Sequence, residues 1–226
     1  MAEQNNKRIA KNTIFLYIRM AIVMAINLYV TRVVLNVLGV SDYGVYNVVC
    51  GFVTMFGFLN TSMANGIQRF YNFELGKKGE DAVVKVYNTA LIIQFVLTVG
   101  VVILTETIGL WYVNTKMVIS PERIVAANWI FHFSVISLVF VIMQTPYSAA
   151  ILAYERMDYY AVVSIIDAVM KLAIVIILPH LFGDGLILYG LLMMAISILN
   201  FILYSVYCRT KFHHLKFKNM FDSLCA

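Results

Sequence analysis

An uninterrupted apolar run near the start of the chain, TIFLYIRMAIVMAINLYVTRVVLNV from Thr13, limits its possible folds more than any other feature. It exceeds the roughly 20 residues an α-helix needs to cross the hydrocarbon core of a bilayer. It is also too long for the apolar core of a cleaved leader, about 7–15 residues. Two arginines, Arg19 and Arg32, lie within it. An arginine near the centre of such a helix costs about 2.5–3.5 kcal/mol on insertion scales, so it faces a protein interior or a watery cavity rather than lipid. The rest of the chain must therefore supply partner helices.

Composition agrees. The chain is 62% hydrophobic and 13% charged, with a mean hydropathy of +0.83, against about 45–50% apolar and 25% charged in soluble domains. Lipid is the solvent that accommodates so much apolar surface. Breakers such as Gly39 to Gly44, Gly76 to Gly79, Ser120-Pro121 and Gly183 to Gly185 divide the apolar stretches. The expected fold is an all-α integral membrane bundle of about six helices, at 13–37, 44–70, 84–112, 124–147, 160–181 and 186–208. A polar segment over 1–12 precedes this 13–208 region, and a basic tail over 209–226 follows it. Pro146 and Pro179 are expected to terminate their spans.

Six spans put alternate connections on opposite sides. Lys7, Arg8, Lys11, Arg69, Lys77, Lys78, Lys85, Arg156, Arg209, Lys211, Lys216 and Lys218 then share one side, against Lys116 and Arg123 on the other. Loops rich in lysine and arginine stay in the cytoplasm, which places both termini there. This asymmetry also accounts for the net charge of +5. No basic stripe interleaved with aromatics supports nucleic acid as a partner; membrane lipid is the expected one.

Several spans carry polar residues at helical spacing. Arg19, Asn27 and Thr31 lie on the first, and Asn47, Gly51, Thr54, Thr61, Asn65, Arg69 and Asn72 on the second. The third carries Tyr87, Gln94, Thr98 and Thr105; the sixth carries Gly190, Ser197, Asn200, Tyr204 and Tyr207. Small and hydroxyl residues also serve close helix packing. Asparagine and arginine favour the lining of a hydrated cavity, with Arg19, Asn27, Thr31, Asn47, Thr54, Thr61, Asn65, Arg69, Gln94 and Asn200 as candidate contacts. Asp167 and Lys171 are four residues apart on one face of the fifth span. They form either a self-neutralised pair or an ion-coupling site, because ionisable residues inside a membrane are functional candidates by default. Glu106 lies nearer a span end, and His132 shares a face with Asn128.

The three cysteines and four histidines show no metal-ligand spacing. No HExxH, GxSxG or phosphate-binding glycine loop is present. The residues therefore predict neither an enzyme, nor a cofactor, nor a metal site.

The basic start, the corner Leu38-Gly39-Val40-Ser41-Asp42-Tyr43-Gly44-Val45-Tyr46 and the segment Ala64-Asn65-Gly66-Ile67-Gln68-Arg69-Phe70 resemble Wzx-type polysaccharide flippases. These belong to the multidrug/oligosaccharidyl-lipid/polysaccharide exporter superfamily. The resemblance implies two helical lobes around a cavity open alternately to each side, of which this chain supplies one, with a second lobe as the missing partner. It implies a bacterial inner-membrane protein that moves a polyprenyl-pyrophosphate-linked glycan, such as an O-antigen repeat unit. Interior cations Arg19, Arg32 and Lys171 against one deep acid, Asp167, suit an anionic pyrophosphate. The alternatives are a drug/cation antiporter of the same superfamily, a membrane glycan polymerase or transferase, and a non-transporting partner subunit.

Overall fold

The computed structural model describes residues 2–77 and 80–212, with side chains described for 13–77 and 83–212. All regular structure among these residues is helical, and the chain is an all-α membrane helix bundle. The basic tail expected over 209–226 lies outside the described residues beyond Phe212.

Helix α1 runs from Ala2 to Met55 and α2 from Gly57 to Lys77. Its membrane-compatible part, Thr13–Met55, has 43 residues. At 1.5 Å per residue that is about 65 Å, enough for two crossings. The reversal falls at Gly39, whose φ of 79° and ψ of 166° lie where side-chain-bearing residues are hardly found. The contacts show the change of direction. Before the turn, Arg19 stacks on Tyr160 at the start of α6, and Val34 packs with Val175 and Leu178 near its end. After it, Asp42 meets Arg123 beside the start of α5, Cys50 meets Ser134 and Asn60 meets Thr145 further along. The expected corner over Gly39 to Gly44 is thus a one-residue turn, and Ser41 to Gly44 are already helical. The second span, expected whole over 44–70, is interrupted at Phe56, so α1 carries its first part and α2 the rest.

Helix α3, Glu80–Leu104, passes through a wide π turn at Thr105–Gly109 into α4, Leu110–Thr115. Helix α5, Ile124–Ala153, includes Pro146 in its interior, so the expectation that Pro146 ends the span is wrong. Lipid and neighbouring helices tolerate such a residue because other groups satisfy the freed carbonyls. Helix α6, Met157–Ile177, does end at a short 3₁₀ turn containing Pro179, and α7 runs from Gly185 to Lys211.

Three apolar clusters hold the bundle together. One joins α2, α3, α5 and α7 around Tyr71, Tyr87, Ala150 and Tyr204. Another seats Val49 and Val53 of α1 against Ile130 and Phe131 of α5. The third fixes the first limb of α1 on α6 and α7 through Val30, Val34 and Val175. At the Asp42 end, Arg123 binds Asp42 and Asp184 at 2.8 Å each, while Asp184 also caps α7 by accepting from Leu186 N. One guanidinium therefore ties three helix ends, a fork geometry that lysine cannot supply.

Two outcomes test this topology. Reporters fused after Asp42 and after Lys77 should sit on opposite sides of the membrane; matching signals would remove the second crossing. Gly39→Ala meets no neighbour within 4 Å, so its cost is backbone strain, on the order of 1–3 kcal/mol. A lowered unfolding midpoint in detergent should report it.

Candidate functional site

Two adjoining cavities, with volumes of ≈ 360 Å³ and ≈ 260 Å³, open among α1, α5, α6 and α7. Gln144, Asp167 and Asn200 line both, so the two form one polar cleft. Each element contributes by helical register. Ser137, Gln144 and Ser148 follow one another at seven and four residues on α5, and Ser164, Asp167 and Lys171 at three and four on α6. Asn200 and Ser197 come from α7, while Arg19 and Thr54 enter from the two limbs of α1.

Asp167 is the electrostatic centre. Lys171 Nζ donates to its Oδ2 at 2.7 Å, and Asn200 Nδ2 donates to its Oδ1 at 2.6 Å. Their side chains are 23% and 30% exposed for Asp167 and Lys171, so the pair lies at the cleft wall rather than sealed in the core. Arg19 lies with its guanidinium carbon 4.4 Å from the centre of the Tyr160 ring. That cation–π contact holds the planar head against the ring. The Nε of Arg19 and the Oδ1 of Asn200 are buried without a hydrogen-bond partner among the described residues. Ser137, Ser197 and Thr54 donate to carbonyls of their own helices, which leaves oxygen lone pairs for a ligand. Two cations and one engaged carboxylate leave the cleft with an excess of positive charge.

Of the residues expected from sequence, Arg19, Thr54, Asp167, Lys171 and Asn200 meet in this cleft. Asn27 and Thr31 continue from Arg19 along a shallow groove on the first limb of α1. Asn47, Thr61, Asn65 and Arg69 lie on exposed faces of α1 and α2, directed away from the bundle. Gln94 does not reach the cleft; it is fully buried and donates to Asn60 Oδ1 at 2.6 Å, where Thr145 also donates. Arg32 is exposed. Sequence reasoning missed Gln144, Ser137 and Ser164, although the spacing of serine and glutamine along α5 was there to be read. Among the described residues no group of histidine, cysteine and carboxylate side chains could hold a metal ion.

No family model, curated protein or solved structure matches this chain.

The Asp167–Lys171 contact separates two roles by double-mutant cycle. If the pair only neutralises itself, removing either partner should lower stability by about 3–5 kcal/mol at most, less given its partial exposure. Replacing both with neutral residues of similar size should then restore it. A double variant that stays destabilised would show that the two side chains do more than neutralise each other.

Proposed function

We propose that the chain is one lobe of an exporter that moves an anionic, lipid-linked oligosaccharide between the leaflets of a bacterial inner membrane. The observation that carries this reading is the net-positive cleft, with Arg19 offering an unpartnered Nε inside a bundle otherwise built for lipid. A pyrophosphate would accept from that guanidinium, and charge-assisted bonds of this kind are the strong ones. The hydroxyl and amide lining suits the donors of a sugar. The polar faces of α1 and α2, with Asn47, Thr61, Asn65 and Arg69, call for cover other than lipid. A second lobe facing them would provide it and close a shared pathway.

Orientation follows from the same bundle. Lys77, Arg156, Arg209 and Lys211 gather at the ends of α2, α5 and α7 nearest Tyr154, whereas Lys116 and Arg123 occupy the Asp42 end. By the positive-inside rule this asymmetry supports a cytoplasmic Tyr154 end. A drug/cation antiporter of the same architecture is the second reading. It fits less well because both oxygens of Asp167 are occupied, by Lys171 and Asn200.

Accumulation of lipid-linked glycan on the cytoplasmic side of a deletion strain would support export, and a deletion strain with normal glycan but slower efflux of fluorescent cations would favour the antiporter. Arg19→Ala should reduce export on the order of ten- to hundredfold, the worth of a charged hydrogen bond, with unchanged abundance in the membrane. Arg19→Lys should recover part of it, because a point charge replaces a planar fork.

A further inference from the structure

Away from the cleft, a second acid and base meet inside the membrane-spanning helices. Glu106 rides on the π turn Thr105–Gly109, and its Oε1 stands 3.2 Å from Nδ1 of His132 on α5. Wide turns of this kind occur disproportionately at functional positions. Here the turn is held closely. Thr105 Oγ1 donates to the carbonyls of Val101 and Val102. Gly109 lies so near Phe131 that a Cβ there would be 2.6 Å from the ring. The turn thus lies flat on α5 at the residue preceding His132.

The depth of the pair follows from the two tryptophans of the chain, Trp111 and Trp129, both exposed. Exposed indoles mark the membrane boundary. Glu106 is five residues from Trp111 and His132 three from Trp129, which puts the pair about 5–8 Å inside that boundary. The side chains of His132 and Glu106 are 42% and 34% exposed. Between them and the Asp42 end, Asn114 and Asn128 bond each other reciprocally at 3.1 Å, so polar groups lead from the medium to the pair.

The surrounding titratable groups are engaged elsewhere. On α4, Tyr112 stacks on Phe52 and Lys116 lies over Trp111. On the second limb of α1, Asp42 binds Arg123, Cys50 pairs with Ser134, and Tyr43 and Tyr46 stack on each other. On α7, Asp184 binds Arg123 and Tyr189 packs edge-on against Tyr46. Glu122 of the turn before α5 is exposed.

We propose that Glu106 and His132 together form a proton-binding site at the membrane boundary, holding one shared proton that exchanges with water past Asn114 and Asn128. With that proton the pair is neutral overall, whether the proton is on nitrogen or on oxygen. Without it, an uncompensated carboxylate is left inside the membrane boundary, where ionisable groups are costly. Imidazole is the side chain whose ordinary charge change falls between pH 5 and 8. Only an N–H or O–H bond forms and breaks, and water is the source and acceptor of the proton. Should the chain be an exporter, this site supplies its coupling ion; that clause alone rests on the export reading, because proton binding is measured without transport.

The two tryptophans are built-in reporters, since a charged imidazolium one helical turn away quenches an indole. Emission of the solubilised full chain, titrated from about pH 5 to pH 8, should show one reversible single-proton step. His132→Gln should abolish it, and His180→Gln should leave it intact. Glu106→Gln should displace its midpoint, because the imidazolium loses the carboxylate beside it. The proposal is overturned by a step that survives His132→Gln or by a midpoint indifferent to Glu106→Gln. Should His132→Gln fail to fold, the Glu106→Gln comparison decides alone.

Discussion

In a bilayer core no water is present to satisfy a polar group, and this one condition explains most of the molecule. Backbone amides satisfy themselves by coiling into helices. Side chains then face the same demand. Threonines and serines donate to carbonyls one turn back on their own helix, as Thr98 does to Gln94 and Ser164 to Tyr160. Longer polar groups must find a partner on another helix, and they do so in sets: Asn60 with Gln94 and Thr145, Asp167 with Lys171 and Asn200, Asn114 with Asn128. Each set ties one helix to another, and the bond from Thr145 to Asn60 joins two that are distant in sequence. The apolar clusters fill volume between helices, and the polar sets fix which helix faces which.

The turn at Gly39 and the Arg123 fork are two parts of one arrangement. A helix of 43 membrane-compatible residues can fold back only where a residue tolerates a left-handed backbone, and Gly39 is that residue. The turn brings Asp42 to Arg123, which in turn holds Asp184 at the start of α7. Asp42 is only 13% exposed in its side chain. The Asp42 side of this contact is therefore partly shielded from solvent, whereas Asp184 and Arg123 are about a third exposed. Ends of three helices are fixed together there, whereas the opposite end is held by stacked aromatics such as Tyr159 on Tyr207 and Tyr154 on Phe212.

The all-α membrane character was legible because hydrophobic length is a direct physical requirement, and the last two spans agree with their expected limits within a few residues. Three features were not legible. Gly39 and Gly44 looked like equivalent breakers, yet only Gly39 takes a positive φ, a choice made by tertiary contacts on both sides of the turn. The break at Phe56 carries no proline, and its one local mark is Gly57, a single glycine among several in this span. Pro146 looked like a stop, but helix α5 continues through it because neighbouring helices pack around that turn. For the candidate site, helical spacing identified Arg19, Asp167, Lys171 and Asn200, which the fold brings into one cleft. The same spacing could not distinguish Gln94, buried between helices, from Asn65, exposed on the surface. Periodicity says that residues share a face; only the neighbours decide what that face meets.

The two intramembrane acid–base pairs show how similar contacts serve different ends. Lys171 reaches Asp167 from one turn along the same helix, so no motion between helices separates them, and Asn200 occupies the second oxygen. Glu106 and His132 come from different helices, and one of them sits on a turn that departs from α-helical register. Their distance therefore depends on how α3 and α4 lie against α5. On the proposal that the pair binds a proton, its proton affinity and the attraction across that seam are linked. The Asp167–Lys171 ion pair lies within one helix, and its only bond to another, among the described residues, is the neutral one from Asn200. Of the two pairs, only Glu106 and His132 place their two ionisable groups on separate elements, and only they include an imidazole.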